Sequence, residues 1–129
     1  MKILCVCEGG NVRSVGMAFA LKHIYGQDAL ACGWRFNSLE TFKMLCDWAD
    51  RIVVMQEVFV AKVPSDVLRS KVRVVDVGPD CFGNPLHPDL QACVQHAAEA
   101  WMKKGWNLGH DVYTYNATGT ELEIKETTA

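Results

Sequence analysis

Three short runs, Lys2–Val6, Arg51–Met55 and Val72–Val75, are near-continuously apolar rather than alternating. A strand with one wet face alternates, whereas a strand buried on both faces does not. Such strands need cover on both sides, and the segments between them supply it. Met17, Ala20, Leu21 and Ile24 recur at helical spacing, and Gly26 closes that segment. Ser38 reads as an N-cap ahead of Thr41, Leu45 and Trp48. Pro88 opens a last helix to about Lys104, with Leu90, Cys93, Val94, Ala97 and Trp101 as its apolar stripe. Asp28–Cys32 is a weaker strand, and Pro64-Ser65-Asp66 is expected to open a short helix to about Ser70. Strands interleaved with helices predict an α/β fold. The expected form is a three-layer α/β/α domain around a central four-stranded parallel sheet, with right-handed crossovers.

The chain has 129 residues, half of them hydrophobic, which is enough for one core and too apolar for a disordered chain. A formal net charge of -2 argues against a general nucleic-acid binder, which carries a basic excess. No apolar run approaches the roughly 18 residues that span a bilayer, so no membrane partner is expected. Ile3–Cys7 is too short for the core of a signal peptide, and the expected compartment is the cytoplasm. The six cysteines are then read as thiols. Cys5 and Cys7 form a C-x-C pair without a companion pair at zinc-type spacing, so no metal is expected. Residues 1–108 read as the domain and 109–129 as a tail. There Asp111–Tyr115 and Thr120–Lys125 flank Asn116-Ala117-Thr118-Gly119, as a small hairpin or a polar tail. The sequon Asn116-Ala117-Thr118 carries no meaning in the cytoplasm. Trp48, Trp101 and Trp106 read as core or interface residues.

The chemistry is concentrated in Cys7-Glu8-Gly9-Gly10-Asn11-Val12-Arg13-Ser14, between the first strand and the first helix. In open parallel sheets, ligands bind beyond the carboxyl ends of strands. Two glycines let the backbone turn its N–H groups inward as an anion nest, and the helix start adds a positive end. Arg13 offers a planar fork for a tetrahedral oxyanion. The same field acts on the thiol. Helix N-termini and cations lower a cysteine from about 8.5 to between about 3.5 and 7.5. Cys7 is thereby a candidate nucleophile and Ser14 its hydrogen-bond partner. The plainer reading is a glycine turn after a strand, with an inert buried cysteine.

The chain resembles the low-molecular-weight protein tyrosine phosphatases, especially their short bacterial and phage-type relatives. Ile3-Leu4-Cys5-Val6-Cys7, Arg13-Ser14 and Ala18 carry the first landmark, a strand followed by Cys-x5-Arg-Ser and a helix. Trp48-Ala49-Asp50-Arg51-Ile52-Val53-Val54-Met55 carries the second, and Gly78-Pro79-Asp80-Cys81-Phe82 before Pro88-Asp89-Leu90 the third. The resemblance covers about residues 1 to 104. It implies a phosphomonoesterase with a cysteinyl-phosphate intermediate on Cys7, requiring no cofactor. Glu8, Gly9, Gly10, Asn11, Val12, Arg13 and Ser14 would hold the phosphate, and Asp80 would be the general acid and base. Trp34 and Phe82 would line the substrate rim. The implied partner is a phosphorylated protein or a small phosphomonoester.

The chain departs from the family at four places. Gly10 stands where relatives carry a loop-shaping Asn, with Asn11 one position later. Val12 replaces a second cysteine, Val15 a proline, and Glu8 sets an acid beside the nucleophile. Asp76 and Asp89 are rivals of Asp80 for the acid, and a loop aspartate is ordinarily a turn or cap residue. Cys81 beside Asp80 is a candidate redox partner for Cys7, against simple loop exposure. His23, His87, His96 and His110 receive no role. Three other activities fit the loop: a phosphocysteine carrier like the sugar-transport IIB subunits, a thiol-dependent arsenate reductase using Cys81 and Cys93, and a phospho-binding module without turnover.

Overall fold

Ile3, Leu4, Cys5 and Val6 are completely buried because β1 (Lys2–Cys7) is an interior strand, paired on both sides. The computed structural model describes residues 1–105 in full and the backbone of 110–115 and 122–127. From β1 the chain enters α1 (Arg13–His23) and returns as β2 (Asp28–Gly33) on one side of β1. It then crosses through α2 (Leu39–Trp48) to β3 (Arg51–Val54) on the other side, and β4 (Val72–Asp76) pairs beyond it. These four strands are parallel in the order β2-β1-β3-β4, the four-stranded parallel arrangement expected from their apolar runs. Strand order reverses at β1, the kind of switch point beyond which open parallel sheets bind ligands, and Cys7 stands at its carboxyl end.

The sheet does not stop at β4. After α3 (Pro88–Lys104), β5 (His110–Tyr115) pairs parallel with β4, and β6 (Leu122–Thr127) pairs antiparallel with β5. Trp106 and the sequon at 116–118 lie outside the described residues. No helix among the described residues is long and apolar enough to cross a membrane.

α1 and α3 pack together on one face, and α2, on the opposite crossover, covers the other. The α3 stripe Leu90, Cys93, Val94, Ala97 and Trp101 is buried throughout. The two helices touch most closely at Gly16, where a Cβ would lie 2.8 Å from both Leu90 Cδ2 and Pro85 O. Gln91 Nε2 crosses the same seam, donating to Gly16 O at 3.1 Å and Pro85 O at 2.9 Å. The caps follow sequence logic. Ser38 Oγ accepts from Thr41 N–H at 3.1 Å, and His87 Nδ1 accepts from Asp89 N–H at 3.1 Å, with Pro88 at the first turn of α3.

One expected element is absent. Residues 64–68 form a turn rather than a helix, and the helical turns nearby are 3-10, over Glu57–Lys62 and Arg69–Lys71. Arg69 explains the difference. Its guanidinium takes the carbonyls of Val63 and Pro64 at 3.0 and 2.9 Å, and Val60 O at 3.4 Å. Those carbonyls are satisfied from the side, and the segment closes with a single Val67 N–H to Pro64 O bond of 3.0 Å.

Candidate active site

β1 ends at Cys7, and the loop after it curls back over its sulfur. Gly10 N–H donates to Cys7 Sγ at 3.1 Å, and Ser14 Oγ lies 3.1 Å from the same atom. The curl depends on glycine. Gly10 has φ 75, and a Cβ there would lie 2.5 Å from Gly33 N. Gly33 ends β2 directly beside Cys7, and a Cβ on it would lie 2.5 Å from Gly9 C. Trp34 N–H and Arg35 N–H then donate to Cys7 O at 3.0 Å and Glu8 O at 3.2 Å. The start of the loop is thus bound to the end of β2.

Asn11, displaced by one position, is exposed, and its amide has no hydrogen-bond partner among the described residues. The Gly10–Gly33 contact shapes this loop without it. Glu8 turns outward to Arg35, Oε1 to Nη1 at 2.8 Å, so its charge is compensated at the surface. Val12 is the N-cap of α1 and makes no side-chain cap, and no acid occupies the first turn. The positive end of α1 is left unneutralised by its own residues.

Arg13 is only 2% exposed. Its Nη1 donates to Gln56 Oε1 at 2.8 Å and to Gly78 O at 2.9 Å, and its Cζ lies 5.2 Å from the centre of the Phe59 ring. Its Nε is buried without a partner, and among the described residues no carboxylate pairs with it. A buried cation held only by neutral acceptors is costly unless an anion completes it. A tetrahedral oxyanion has the charge and the acceptors that this guanidinium lacks.

The two candidate acids separate clearly. Asp76 is consumed by structure: Oδ2 accepts Glu57 N–H and Oδ1 accepts Gly78 N–H, both at 2.9 Å. Asp80 is exposed and has no partner among the described residues. It follows Gly78 by two positions, in the loop that Arg13 holds by its carbonyl. Asp89 sits in the first turn of α3, which His87 caps. Phe82 is half-buried against the core, with its ring 5.8 Å from that of His87. Trp34 is half-buried with its centroid 5.7 Å from Phe59, and Lys62 Nζ lies 4.4 Å from the Trp34 ring centre.

All six cysteines are free thiols, and Cys81 alone among them is exposed. Burial pushes the Cys32 thiol up to about 12, with Cys46 and Cys7 adding to the rise. Burial likewise raises Cys46 to about 11 and Cys5 further in the same direction. Burial thus disfavours ionisation of these three thiols. Gln56, Phe59 and Gly33 have no place in the sequence signals, and Gly78 stands there only within a landmark, because each reaches the loop from a distant segment. The one available signal was glycine at the end of an apolar strand, which marks close backbone approach.

No protein-family model matches the chain, and no curated protein sequence does at a significant level. Solved structures do match in shape. Wzb from Vibrio vulnificus, in complex with benzylphosphonate, superposes with a TM-score of 0.61 at 20% identity, over 80% of this chain and 97% of that one. The YwlE arginine phosphatase from Geobacillus stearothermophilus gives 0.58 at 19% identity, over 80% and 94%. A low molecular weight protein tyrosine phosphatase from Bacillus subtilis gives 0.55 at 16%, over 80% and 98%. The chain has the fold of these phosphatases.

Proposed function

We propose that this chain, built on the low-molecular-weight tyrosine phosphatase fold, is a phosphomonoester hydrolase working through Cys7. The observation that carries the proposal is the buried Arg13, which no carboxylate among the described residues pairs with. Its unpartnered Nε stands one residue from the serine that contacts the Cys7 sulfur. Residues 8–14 cradle the phosphate in this reading, and the activity belongs to residues 1–108. Cys7, as thiolate, attacks phosphorus in line with the leaving oxygen. Arg13 and the loop N–H groups stabilise the charge on the equatorial oxygens. Asp80, protonated, gives its proton to the departing alkoxide or phenoxide, forming the alcohol and a cysteinyl phosphate. Asp80, now ionised, takes a proton from water. The hydroxyl attacks phosphorus, the S–P bond breaks, and thiolate and inorganic phosphate are released. Ser14 O–H and Gly10 N–H stabilise the thiolate at both ends of the cycle.

The free carboxyl of Asp80, set against the fully engaged Asp76, supports Asp80 as the acid. Trp34 and Phe82 form the aromatic rim of this reading. They suit an aryl phosphate, on a phosphorylated protein or a small molecule, in a soluble cytoplasmic setting. The benzylphosphonate bound by the Vibrio relative is in keeping with that class. Cys93 is buried in the α3 stripe, which disfavours a disulfide relay of the arsenate-reductase kind.

Hydrolysis of p-nitrophenyl phosphate without added metal, from pH 5 to 8, tests the proposal. Wild type turns over, Cys7→Ser does not, and Asp80→Asn loses on the order of 10²-fold or more in kcat. An unaffected Asp80→Asn would exclude that residue as the acid. Inactive wild type whose Cys7 is still blocked by phosphate would leave an anion site without hydrolysis.

A further inference from the structure

Arg13 has a fixed orientation, and the groups that fix it are neutral. Its Nη1 is shared by Gln56 Oε1 at 2.8 Å and Gly78 O at 2.9 Å. These acceptors come from two segments, Gln56 just after β3 and Gly78 just after β4. Asp76 joins the two. One of its oxygens accepts the N–H of Glu57, next to Gln56, and the other accepts the N–H of Gly78 itself. A backbone bond of 3.2 Å from Val77 N–H to Met55 O runs alongside.

We propose that Asp76 and Gln56 are positioning residues for Arg13. Asp76 staples the segments after β3 and β4. Gln56 and the Gly78 carbonyl then pin Nη1, which leaves the Nε edge of the fork for the oxygens of the substrate. The role of that edge rests on the phosphate-site reading above. The guanidinium is planar, so holding one Nη stops rotation about the Nε–Cζ bond and sets the plane of the whole group. Glutamine suits the task. It accepts as a carboxylate would, but leaves the positive charge of Arg13 undiminished for an anion. Asp76 contacts no reacting atom in this scheme and acts only through the groups it ties together.

The test combines nitrogen-15 NMR of the arginine side chains with inhibition by inorganic phosphate, on the full chain. In wild type, hindered rotation keeps the Arg13 Nη signals separate. Gln56→Met, of similar length and without the acceptor, merges them and raises the inhibition constant of phosphate about fivefold or more, at an unchanged melting temperature. Gln56→Glu restores the hindered rotation. Asp76→Asn, which keeps one acceptor oxygen, loosens Arg13 in the same sense. Wild-type rotation and wild-type inhibition in Gln56→Met would overturn the proposal, and so would free rotation of Arg13 in wild type. If Gln56→Met releases a hindered Arg13 but wild type binds no phosphate, the positioning stands and the phosphate-site reading falls.

Discussion

Gly10 and Gly33 meet backbone to backbone, so closely that a Cβ on Gly10 would lie 2.5 Å from Gly33 N. The loop above Cys7 is therefore shaped by the end of a neighbouring strand as well as by its own sequence. Gly33→Ala forces the backbone of Glu8, Gly9 and Gly10 to retreat, since the nearest atoms to the added methyl are all main chain. The expected cost is about 1–3 kcal/mol, read as a lower urea midpoint. A larger relative loss is expected in phosphate affinity, because the N–H of Gly10 moves off the Cys7 sulfur. Wild-type affinity in Gly33→Ala would show that the loop holds its shape alone.

The Glu8–Arg35 pair lies at the surface, with side chains 41% and 59% exposed. Exposed pairs contribute little to stability, so Arg35→Ala should change it by less than about 1 kcal/mol. Its effect on an anionic substrate should be clearer. Removing Arg35 leaves the Glu8 charge uncompensated beside Cys7 and raises KM by about threefold at low salt. Added salt should erase most of that difference. A KM that ignores ionic strength would mean that Glu8 does not act on the substrate through its charge.

The buried thiols predict a loss of stability at alkaline pH. Burial holds Cys32 and Cys46 up to about 12 and about 11, above the ordinary thiol range of about 8.5 to 9. Below pH 9 both folded and unfolded chains keep these protons, and the full stability is present. Above it the unfolded chain ionises first, so stability falls until the folded values are reached. Each thiol contributes a slope of about 1.4 kcal/mol per pH unit across its window. Urea denaturation between pH 8 and 11 should show this decline, less steeply in Cys46→Ala. Parallel curves would show that Cys46 ionises alike in both states.

The strands and most helices were legible because their signals are local. Continuous apolar runs declared β1, β3 and β4, and periodicity with Ser38 and Pro88 declared α2 and α3. The helix expected at 64–70 failed because a long-armed side chain, Arg69, satisfied the carbonyls that a helix would have used. No window of sequence around that segment reports where a guanidinium will land.

The candidate site divides along the same line. Cys7, Gly10, Arg13 and Ser14 lie within eight consecutive residues, so chain geometry alone determined that a thiol, a turn and a cation meet at a helix start. Which aspartate is free, which way Glu8 points and what holds Arg13 depend on contacts across tens of residues. Asp76 and Asp80 differ by four positions and look alike in sequence, yet one has both oxygens engaged and the other, among the described residues, has neither. Parallel pairing of β1, β3 and β4 set Gln56 and Gly78 against Arg13, and pairing of β1 with β2 set Gly33 against Gly10. Hydrogen bonds act over about 3 Å, so only the packed sheet, and no spacing along the chain, decides which distant groups come within reach.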